Sequence, residues 1–379
     1  MNYNVVPETV SFSGSELLRI KSDIGKYPSE AAVLRERADK LMNVEPFTVT
    51  RKKLTPPSGN PHDYMTMGPY WWPDPEKADG LPYIRRDGIH NPDAKDRNTY
   101  KAMADTAYHL AHVAYIFERD DYAERAVAIL RVWHLDEETY MTPHAEYAQA
   151  IPGICEGRGI GIIDFTASHN VVDACRILYA IGAMSDAEYL GMQDWYRKFA
   201  DWLITSEKGI FEDNYFNNHG AWYDVQVLCA AIFTNRPELA KRVAMNSYRR
   251  RHKTHIMPDG SQPHELERTN AMSYSTMNLL ALVKLASICT SMGYKEYTEK
   301  DEAAGSPLIC RALEFLYPYT KDQSSFPYQQ IKPSDFGVSI SEMLIVLNSL
   351  TGDERYKKMA EDIFEPQYLT HVMPYVKVK

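Results

Sequence analysis

The sequence predicts an all-α fold. After residue 95, apolar residues recur at positions i, i+3, i+4 and i+7 through segment after segment, which is the pattern of helices with one buried face. Turn and cap signals such as Asn235-Arg-Pro, Pro258-Asp-Gly and Thr351-Gly-Asp separate these segments. Alternating strand patterns are almost absent, although Tyr368–Val378 is expected to add one short strand. Many helices with short connections predict paired antiparallel helices around one core.

The helices can be placed along the chain by this pattern. Two N-terminal helices are expected, near Ser15–Ile24 and Ser29–Leu41, with Ser29 as the N-cap of the second. Further helices are expected at 98–118, 121–134, 164–181, 185–206, 218–233, 236–252, 265–291, 306–318, 335–350 and 352–363. No stretch has the composition of an interdomain linker, so we expect a single domain over residues 1–379.

Composition and charge restrict the class of function. The chain is 44% hydrophobic and 25% charged, as globular proteins are, and its net charge of −9 argues against a nucleic-acid partner. A polyanionic ligand remains possible if basic groups cluster locally. Arg249–His255 is one such cluster, for which a solvated helix end is the favoured interpretation. No apolar run reaches the ~18 residues of a membrane span.

The cysteines indicate neither a disulfide framework nor a metal site. They form no close pair and no ligand spacing, and their apolar surroundings predict small core residues: Cys155, Cys175, Cys229, Cys289 and Cys310. No zinc-binding helix motif and no phosphate-binding loop is present. We therefore expect no metal and no cofactor.

A long loop over residues 44–94 is rich in Pro, Gly and aromatic residues. Loops of this length are functional or disordered, and the aromatic content argues for order. Tyr70, Trp71 and Trp72 lie between prolines, where a regular element could not bury both indoles. They could line a groove that stacks sugar rings, or they could plug the space under the loop, and both interpretations stay open.

A second candidate stretch surrounds Arg158. Glycines on both sides allow the backbone to approach closely, in Glu156-Gly-Arg-Gly-Ile-Gly161. Glu156 and Arg158 could form a structural pair, or Arg158 could face a ligand. We favour a structural role for Glu156 and leave Arg158 open.

The strongest chemical signal comes from two further stretches. Asn218 and His219 begin an apolar helix, where an amide could cap and an imidazole could carry a proton, although a lone His on a helix is more often structural. Arg268 and Tyr274 face different sides of an ideal helix, so they converge only if the helix entry is irregular. We predict that these four residues share one cleft.

Together, these side chains suit elimination across the glycosidic bond of a uronic acid polymer. The C5 proton of a uronate becomes removable when donors from Asn and Arg stabilise the enolate-like charge on its carboxylate, at about 3 kcal/mol per donor. A base then takes that proton and an acid protonates the leaving O4. His and Tyr can perform these steps without a metal.

Several motifs in one order resemble the alginate-lyase-type polysaccharide lyases. They are Tyr70-Trp-Trp-Pro-Asp-Pro75, Gly80–Gly88, Tyr147–Gly153, Glu156–Gly161, Asn217-Asn-His219 and Glu265-Leu-Glu-Arg268 with Tyr274. The resemblance spans residues 60–350. It implies an (α/α) toroid, an incomplete barrel of about six or seven antiparallel helix hairpins, that performs β-elimination without a metal.

The resemblance also implies roles for individual residues. Asn218 and Arg268 match the family's carboxylate neutralisers, His219 matches the His that acts as base or neutraliser, and Tyr274 matches the catalytic Tyr. The residues expected to bind substrate are Tyr70, Trp71, Trp72, Arg158, Tyr215, Trp222, Tyr223 and His264. The better-known relatives place one more residue between the Arg and the Tyr, and a second Arg where Asn270 stands here. A single-domain subfamily without a β-rich second domain is implied.

The sequence thus predicts a lyase that cleaves β-1,4-linked polyuronate, with mannuronate-rich alginate favoured and glucuronan as the alternative. A glycoside hydrolase would need two facing carboxylates, for which Asp74, Glu156, Asp224 and Glu265 are the candidates. A glycan-binding protein that uses the aromatic loop alone is the third class. We expect a periplasmic or secreted monomer that binds neither nucleic acid nor membrane.

Overall fold

A computed structural model of the protein describes residues 1–94, 98–333 and 337–363, and helices dominate it. The α-helices are Gly14–Asp23 (α1), Pro28–Met42 (α2), Thr99–Phe117 (α3), Asp120–His134 (α4), Ser168–Ala180 (α5), Asp186–Thr205 (α6), Glu207–Asp213 (α7), Asn218–Phe233 (α8), Pro237–Ser247 (α9), Lys253–His255 (α10), Pro263–Leu266 (α11), Ala271–Ser291 (α12), Leu308–Leu316 (α13), Gly337–Thr351 (α14) and Arg355–Ile363 (α15). The all-α prediction is confirmed. The strand expected at Tyr368–Val378 lies outside the described residues.

Most predicted helices lie within a few residues of their expected bounds, but two predictions were wrong. Ser29 is inside α2, which begins at Pro28, so it is not the N-cap. The single helix expected over residues 265–291 is interrupted: α11 ends at Leu266 and α12 begins at Ala271. Asn270 precedes α12 with φ −122° and ψ 59°, outside the helical region, and this breaks the backbone path.

Short strands occur near the aromatic loop. Met65–Met67 (β1) pairs in parallel with Tyr147–Ala150 (β4), and Trp71–Trp72 (β2) pairs antiparallel with Ile84–Arg85 (β3). Short 3₁₀ segments and one π-helical turn fill several connections: Ile24–Lys26, Val49–Arg51, Gly159–Phe165, Tyr248–His252, Lys295–Tyr297, Tyr317–Thr320 and Gln323–Ser325. The loop therefore has a fixed backbone conformation at its two tryptophans.

The chain forms two compact units. The first comprises residues 1–9, 38–215 and 229–236, and the second comprises residues 10–37, 216–228 and 237–379. In the first unit α3, α4, α5 and α6 pack together. Their core is aromatic: the Tyr100 ring centroid lies 4.6 Å from that of Phe165 and 5.7 Å from that of Trp133. A single domain stays a prediction.

The second unit is built around α12, which contacts α9, α11, α13 and α14. By length and composition α12 could cross a membrane, but 67% of its apolar window is buried inside the protein. That burial is the pattern of a core helix, in which apolar residues surround the axis. The helix also carries Tyr274 in its first turn, so packing of α12 in the core fixes the backbone position of Tyr274.

The basic cluster at 249–255 is a solvated helix end only in part: Arg249, Arg250 and Lys253 are exposed, whereas three other members are buried. Arg251 is 3% exposed and forms two hydrogen bonds with Asp224, each 3.0 Å long, from Nε and Nη2. His252 and His255 are also buried. The prediction was wrong for these buried residues, and a π-helical turn over Tyr248–His252 accounts for the inward direction of Arg251 and His252. Asp224 is on α8, so the ion pair anchors the helix that begins at Asn218.

Four of the five cysteines are core residues, as predicted. Cys175, Cys229, Cys289 and Cys310 are buried and Cys155 is half-buried, and all five are free thiols. Burial raises the pKa of the Cys310 thiol to about 11, which leaves it protonated at neutral pH. These four thiols therefore serve as small apolar residues.

Candidate active site

In the second unit, Asn218 is bound to a buried carboxylate that the sequence analysis did not assign to the site. Its Nδ2 donates to both carboxylate oxygens of Glu265, at 3.0 and 2.9 Å, and its backbone N–H donates to Glu265 Oε1 at 2.7 Å. Both residues are 1% exposed. The amide donors of Asn218, which were expected to face the substrate, are therefore engaged by Glu265.

Glu265 is held in an environment that disfavours its charge. Desolvation by burial raises the pKa of its carboxyl, and the hydrogen bonds from Asn218 together with the positive potential of His219 and Arg268 oppose that rise. The net direction is upward. Carboxyls with raised pKa values cluster at functional sites, so Glu265 belongs with the predicted four residues as a candidate.

The raised pKa of Glu265 predicts a pH-dependent stability. The folded state favours the protonated carboxyl, so this contribution is complete below the unfolded pKa of about 4.3 and is lost as pH rises through the folded pKa. The free energy of unfolding of the wild type, relative to Glu265→Gln, should fall from about pH 4.3 upward by at most about 1.4 kcal/mol per pH unit. Urea unfolding at a series of pH values measures this difference.

The matched control for that series is Glu267→Gln, which removes an exposed carboxylate from the same turn. It corrects for the general effect of one less negative charge on unfolding. A wild-type stability that rises with pH relative to Glu265→Gln would contradict the assignment, because that sign belongs to a carboxyl whose pKa is lowered on folding.

Arg268 and Tyr274 converge, as the predicted cleft requires. The Arg268 Cζ atom lies 3.9 Å from the centroid of the Tyr274 ring. An ideal helix would separate these two residues, but the interruption between α11 and α12 returns the Arg side chain over the ring. A guanidinium at this distance stabilises negative charge that develops on the phenol.

The turn between α11 and α12 is clamped by a segment further along the chain. Ala271 N donates to Gln329 O at 2.9 Å, and Ile331 N donates to Thr269 O at 3.0 Å. Gln330 Oε1 accepts from Met272 N at 3.1 Å. These bonds satisfy the backbone where the helical ladder is broken, and so the clamp maintains the irregular entry.

A chain of buried amides ties the same turn to the core from the other side. Asn278 Nδ2 donates to Gln262 Oε1 at 2.8 Å, and Gln262 Nε2 donates to the Ser275 carbonyl at 3.0 Å. Gln262 directly precedes α11, whereas Ser275 is next to Tyr274. Satisfied buried networks are rigid, so this one fixes the spacing between Glu265 and Tyr274.

The remaining predicted residues of the second unit divide into site and core. His219 is half-buried on the first turn of α8, and its positive potential reaches Glu265. His264 is half-buried with its ring centroid 4.9 Å from that of Phe216.

Trp222 and Tyr223 were expected to bind substrate, but the structure places them in the core. They are 4% and 5% exposed, and Trp222 Nε1 donates to Met277 O at 3.1 Å. A ring buried to this extent has no free face for a sugar. Trp222 instead packs α8 against α12.

In the first unit, the structure separates the three aromatic residues of the loop. The Tyr70 ring centroid lies 5.1 Å from that of His90, and Trp72 Nε1 donates to Ile89 O at 3.0 Å. Trp72 therefore holds the loop together. Trp71 instead lies with its ring centroid 5.9 Å from Arg158 Cζ.

Arg158 is bonded to Gln149 and not to Glu156. Its Nε donates to Gln149 O at 2.9 Å and its Nη2 donates to Gln149 Oε1 at 3.0 Å. Glu156 is exposed. Tyr215 belongs to the same unit, and its electrostatic interaction with Arg158 acts to raise the pKa of the guanidinium. Of the two alternatives left open, the Glu156–Arg158 pair does not form, because Gln149 offers Arg158 two oxygens.

Two of the four carboxylates proposed for a hydrolase, Asp224 and Glu265, are engaged in buried hydrogen bonds. Asp224 accepts both bonds from Arg251, and Glu265 accepts those from Asn218. Within residues 1–94, 98–333 and 337–363, no three His, Cys, Asp or Glu side chains are grouped as metal ligands would be. Metal independence stays a prediction.

Comparisons with known proteins agree with this fold. A crystal structure of an alginate lyase from Bacteroides ovatus is 35% identical in sequence and superimposes with a TM-score of 0.91, covering 99% of this chain and 100% of that one. Alginate lyase A1-III from Sphingomonas species A1 is 16% identical with a TM-score of 0.50, over 86% and 89% of the two chains. A structure of A1-III complexed with a tetrasaccharide is 16% identical in sequence, with a TM-score of 0.52, and the match covers 81% of this chain and 82% of that one. No curated protein matches the chain.

The helical fold together with these matches defines the protein as a polysaccharide lyase. The model of the alginate lyase family matches residues 48–326, and the chain belongs to that family. The two A1-III structures, at 16% identity, support the shared fold alone. The fold and family implied by the sequence resemblance are confirmed.

Sequence reasoning missed Glu265 as a site residue and considered it only as a hydrolase carboxylate. The available signal was an acidic residue in the same short motif as Arg268. What the sequence could not supply was its partner, because Asn218 and Glu265 are 47 positions apart. Buried charges require hydrogen-bonding partners, and this pairing explains why the carboxylate is tolerated there.

Proposed function

We propose that the protein cleaves β-1,4-linked polyuronate, with mannuronate-rich alginate as the favoured polymer, by β-elimination without a metal. The observation that carries the proposal is the Arg268 guanidinium, 3.9 Å from the centroid of the Tyr274 ring. That pair supplies a phenol able to exchange protons and a cation able to stabilise the charge that forms. The alginate lyase relatives support a polyuronate as the substrate class.

The proposed reaction breaks the C5–H and C4–O4 bonds, and it forms a C4–C5 double bond and a new O4–H bond. Tyr274 or His219 removes the proton at C5 of the uronate, and the electron pair of that C–H bond forms the C4–C5 double bond. The C4–O4 bond breaks, and Tyr274 donates a proton to the leaving O4. Tyr274 serves both steps when the proton and the leaving oxygen lie on one face of the sugar.

The substrate carboxylate is proposed to meet Arg268 and His219. Asn218 was expected to donate to it, but its Nδ2 donates to Glu265 in this arrangement. Asn218 is therefore proposed to act by orienting Glu265. Glu265 in turn lies in the positive potential of His219 and Arg268.

The test is a comparison of three polymers: polymannuronate, polyguluronate and glucuronan. Elimination leaves a C4–C5 unsaturated uronate at the new non-reducing end, and its ultraviolet absorbance reports each cleavage. We expect the fastest rise on polymannuronate. A faster rise on glucuronan would replace alginate by the alternative substrate, and new reducing ends without absorbance would contradict elimination.

The expected location outside the cytoplasm is part of the proposal. A polyuronate chain is a large polyanion that does not cross a bilayer unaided, which favours an enzyme located in the periplasm or beyond. Fractionation of cells that express the native gene, followed by the absorbance assay on each fraction, tests this. Activity confined to the cytoplasmic fraction would contradict it.

A further inference from the structure

In the first unit, two hydrogen-bond donors converge over a glycine. A Cβ atom placed on Gly68 would lie 2.7 Å from Arg158 Nη2, 2.7 Å from Trp71 Cδ1 and 3.4 Å from Trp71 Nε1. Both side chains therefore lie directly above the Gly68 backbone, and any larger residue would displace them. The absence of a side chain at Gly68 allows the Arg158 guanidinium and the Trp71 indole to pack against the backbone side by side.

The Arg158 charge has only neutral partners among the described residues. Its two side-chain hydrogen bonds both go to Gln149, and no Asp or Glu of those residues lies within ion-pair distance of it. Burial is the largest cause of the lowered pKa of the guanidinium; Cys155 and Asp164 oppose this shift, and the Arg85 charge adds to it. A half-buried guanidinium without an ion-pair partner keeps donors that can bind an anion.

The geometry leaves the outer edge of the guanidinium available. Arginine carries five N–H donors, and the bonds to Gln149 occupy one on Nε and one on Nη2. Nη1 makes no hydrogen bond to the described residues and is not among the enclosed polar atoms that lack a partner. The edge formed by Nη1 and Nη2 has the fork geometry that binds a carboxylate through two parallel bonds.

The support behind Arg158 is rigid and strained. Gln149 adopts φ 52°, a left-handed conformation that is rare for residues other than glycine, and its Nε2 donates to Asp164 Oδ1 at 2.9 Å. Asp164 also accepts from Thr66 Oγ1 at 2.8 Å and Tyr64 at 3.2 Å. Backbone strain of this kind persists where surrounding structure enforces it, and it clusters at ligand sites. The Asp164 charge is thereby used to orient Gln149.

We propose that Arg158 and Trp71 form a subsite that binds the carboxylate of one uronate residue of the polymer. Arg158 receives the carboxylate on its outer edge, and Trp71 contributes its indole N–H or its ring face to the same sugar. This inference rests on the proposed function, because it requires an acidic polysaccharide as the ligand. The inference extends the proposed function because it assigns carboxylate binding to two residues that take no part in the elimination.

The test measures the affinity of a mannuronate tetrasaccharide by calorimetry, in a Tyr274→Phe background that prevents turnover. We expect Arg158→Gln to weaken binding by about tenfold or more, because a charge-assisted bidentate contact is lost. The dependence of affinity on sodium chloride should become shallower at the same time, because one ion pair no longer contributes. Loss of packing alone would leave that dependence unchanged.

Two further variants separate the subsite from folding effects. Gly68→Ala keeps Arg158 but adds a Cβ that displaces its guanidinium and the Trp71 indole. This variant should weaken tetrasaccharide binding by a similar factor. Arg197→Gln removes an exposed charge from α6 and should leave the affinity within about twofold. Melting temperatures confirm that each variant is folded.

The outcomes distinguish this inference from the proposed function. If the wild type releases unsaturated product but Arg158→Gln binds the tetrasaccharide as tightly, or more weakly with an unchanged salt dependence, the subsite is overturned and the lyase proposal stands. If the wild type neither cleaves nor binds any polyuronate, the proposed function itself fails.

Discussion

Replacing Tyr274 by Phe is expected to reduce kcat on polymannuronate by about 10²–10⁴-fold while oligosaccharide affinity changes little. The substitution removes the phenolic O–H, which is proposed to exchange protons with C5 and O4, and general acid–base catalysis has an effect of this size. The ring remains under the Arg268 guanidinium, so the local packing is kept. The initial rate of ultraviolet absorbance and calorimetric binding measure the two quantities.

The matched control is Tyr179→Phe, which removes a phenolic O–H from an exposed tyrosine on α5. Its rate should equal that of the wild type within about twofold, as surface substitutions usually allow. A Tyr274→Phe enzyme that retains more than a tenth of wild-type kcat would contradict the assignment of Tyr274. His219 would then be the residue to test as both base and acid.

Arg268→Gln is expected to lower kcat by about 10²–10³-fold, the loss seen when one donor to a developing anion is removed. The guanidinium both faces the Tyr274 ring and is proposed to meet the substrate carboxylate, so its loss affects the transition state more than the ground state. Steady-state kinetics on polymannuronate would therefore show a large fall in kcat with a smaller rise in KM.

Arg249→Gln provides the charge-matched control, since Arg249 is exposed in the same unit. It should leave kcat and KM within about twofold of the wild type. If Arg268→Gln raised KM alone, the guanidinium would contribute uniform binding and no transition-state stabilisation, and the proposed role of the Arg268–Tyr274 pair would be refuted.

Periodicity predicted the helices well because most of them bury one continuous face. Asn218–Phe233 was predicted with its observed bounds, and Asp186–Thr205 within one residue at each end. The break between Leu266 and Ala271 was not predicted, although the polar run Glu267-Arg-Thr-Asn270 interrupts the apolar pattern at this point. The break depends on the hydrogen bond that Gln329 O accepts from Ala271 N and the one that Ile331 N donates to Thr269 O, and only the tertiary structure brings these residues to that turn.

The sequence predicted which residues to place at the site, but not the hydrogen bonds among them. Residue types and motif order selected Asn218, His219, Arg268 and Tyr274, and the Arg268–Tyr274 contact confirms that at least this pair converges. The direction of the Asn218 amide could not be predicted, because it depends on a buried carboxylate distant in sequence. Their catalytic roles stay predictions until the variants are measured.

The bonding partner of Arg158 was not predictable from the sequence either. Its flanking glycines indicated close backbone approach, which the structure shows at Gly157, where a Cβ would meet Glu146 O at 2.1 Å. The sequence offered Glu156 as the nearest counter-charge, yet the partner is Gln149, whose left-handed conformation no sequence pattern indicated. Strained residues at ligand sites are where local rules are expected to fail.

The mass of the products from polymannuronate, measured for the wild type beside Tyr274→Phe, tests the central claim most directly. Elimination gives each new non-reducing end one water less than hydrolysis would, and we predict that the wild type releases only these lighter oligosaccharides. Tyr274→Phe should release almost none in the same time. Products with the full mass of hydrolysed oligosaccharides would contradict the lyase mechanism, whichever residues proved essential.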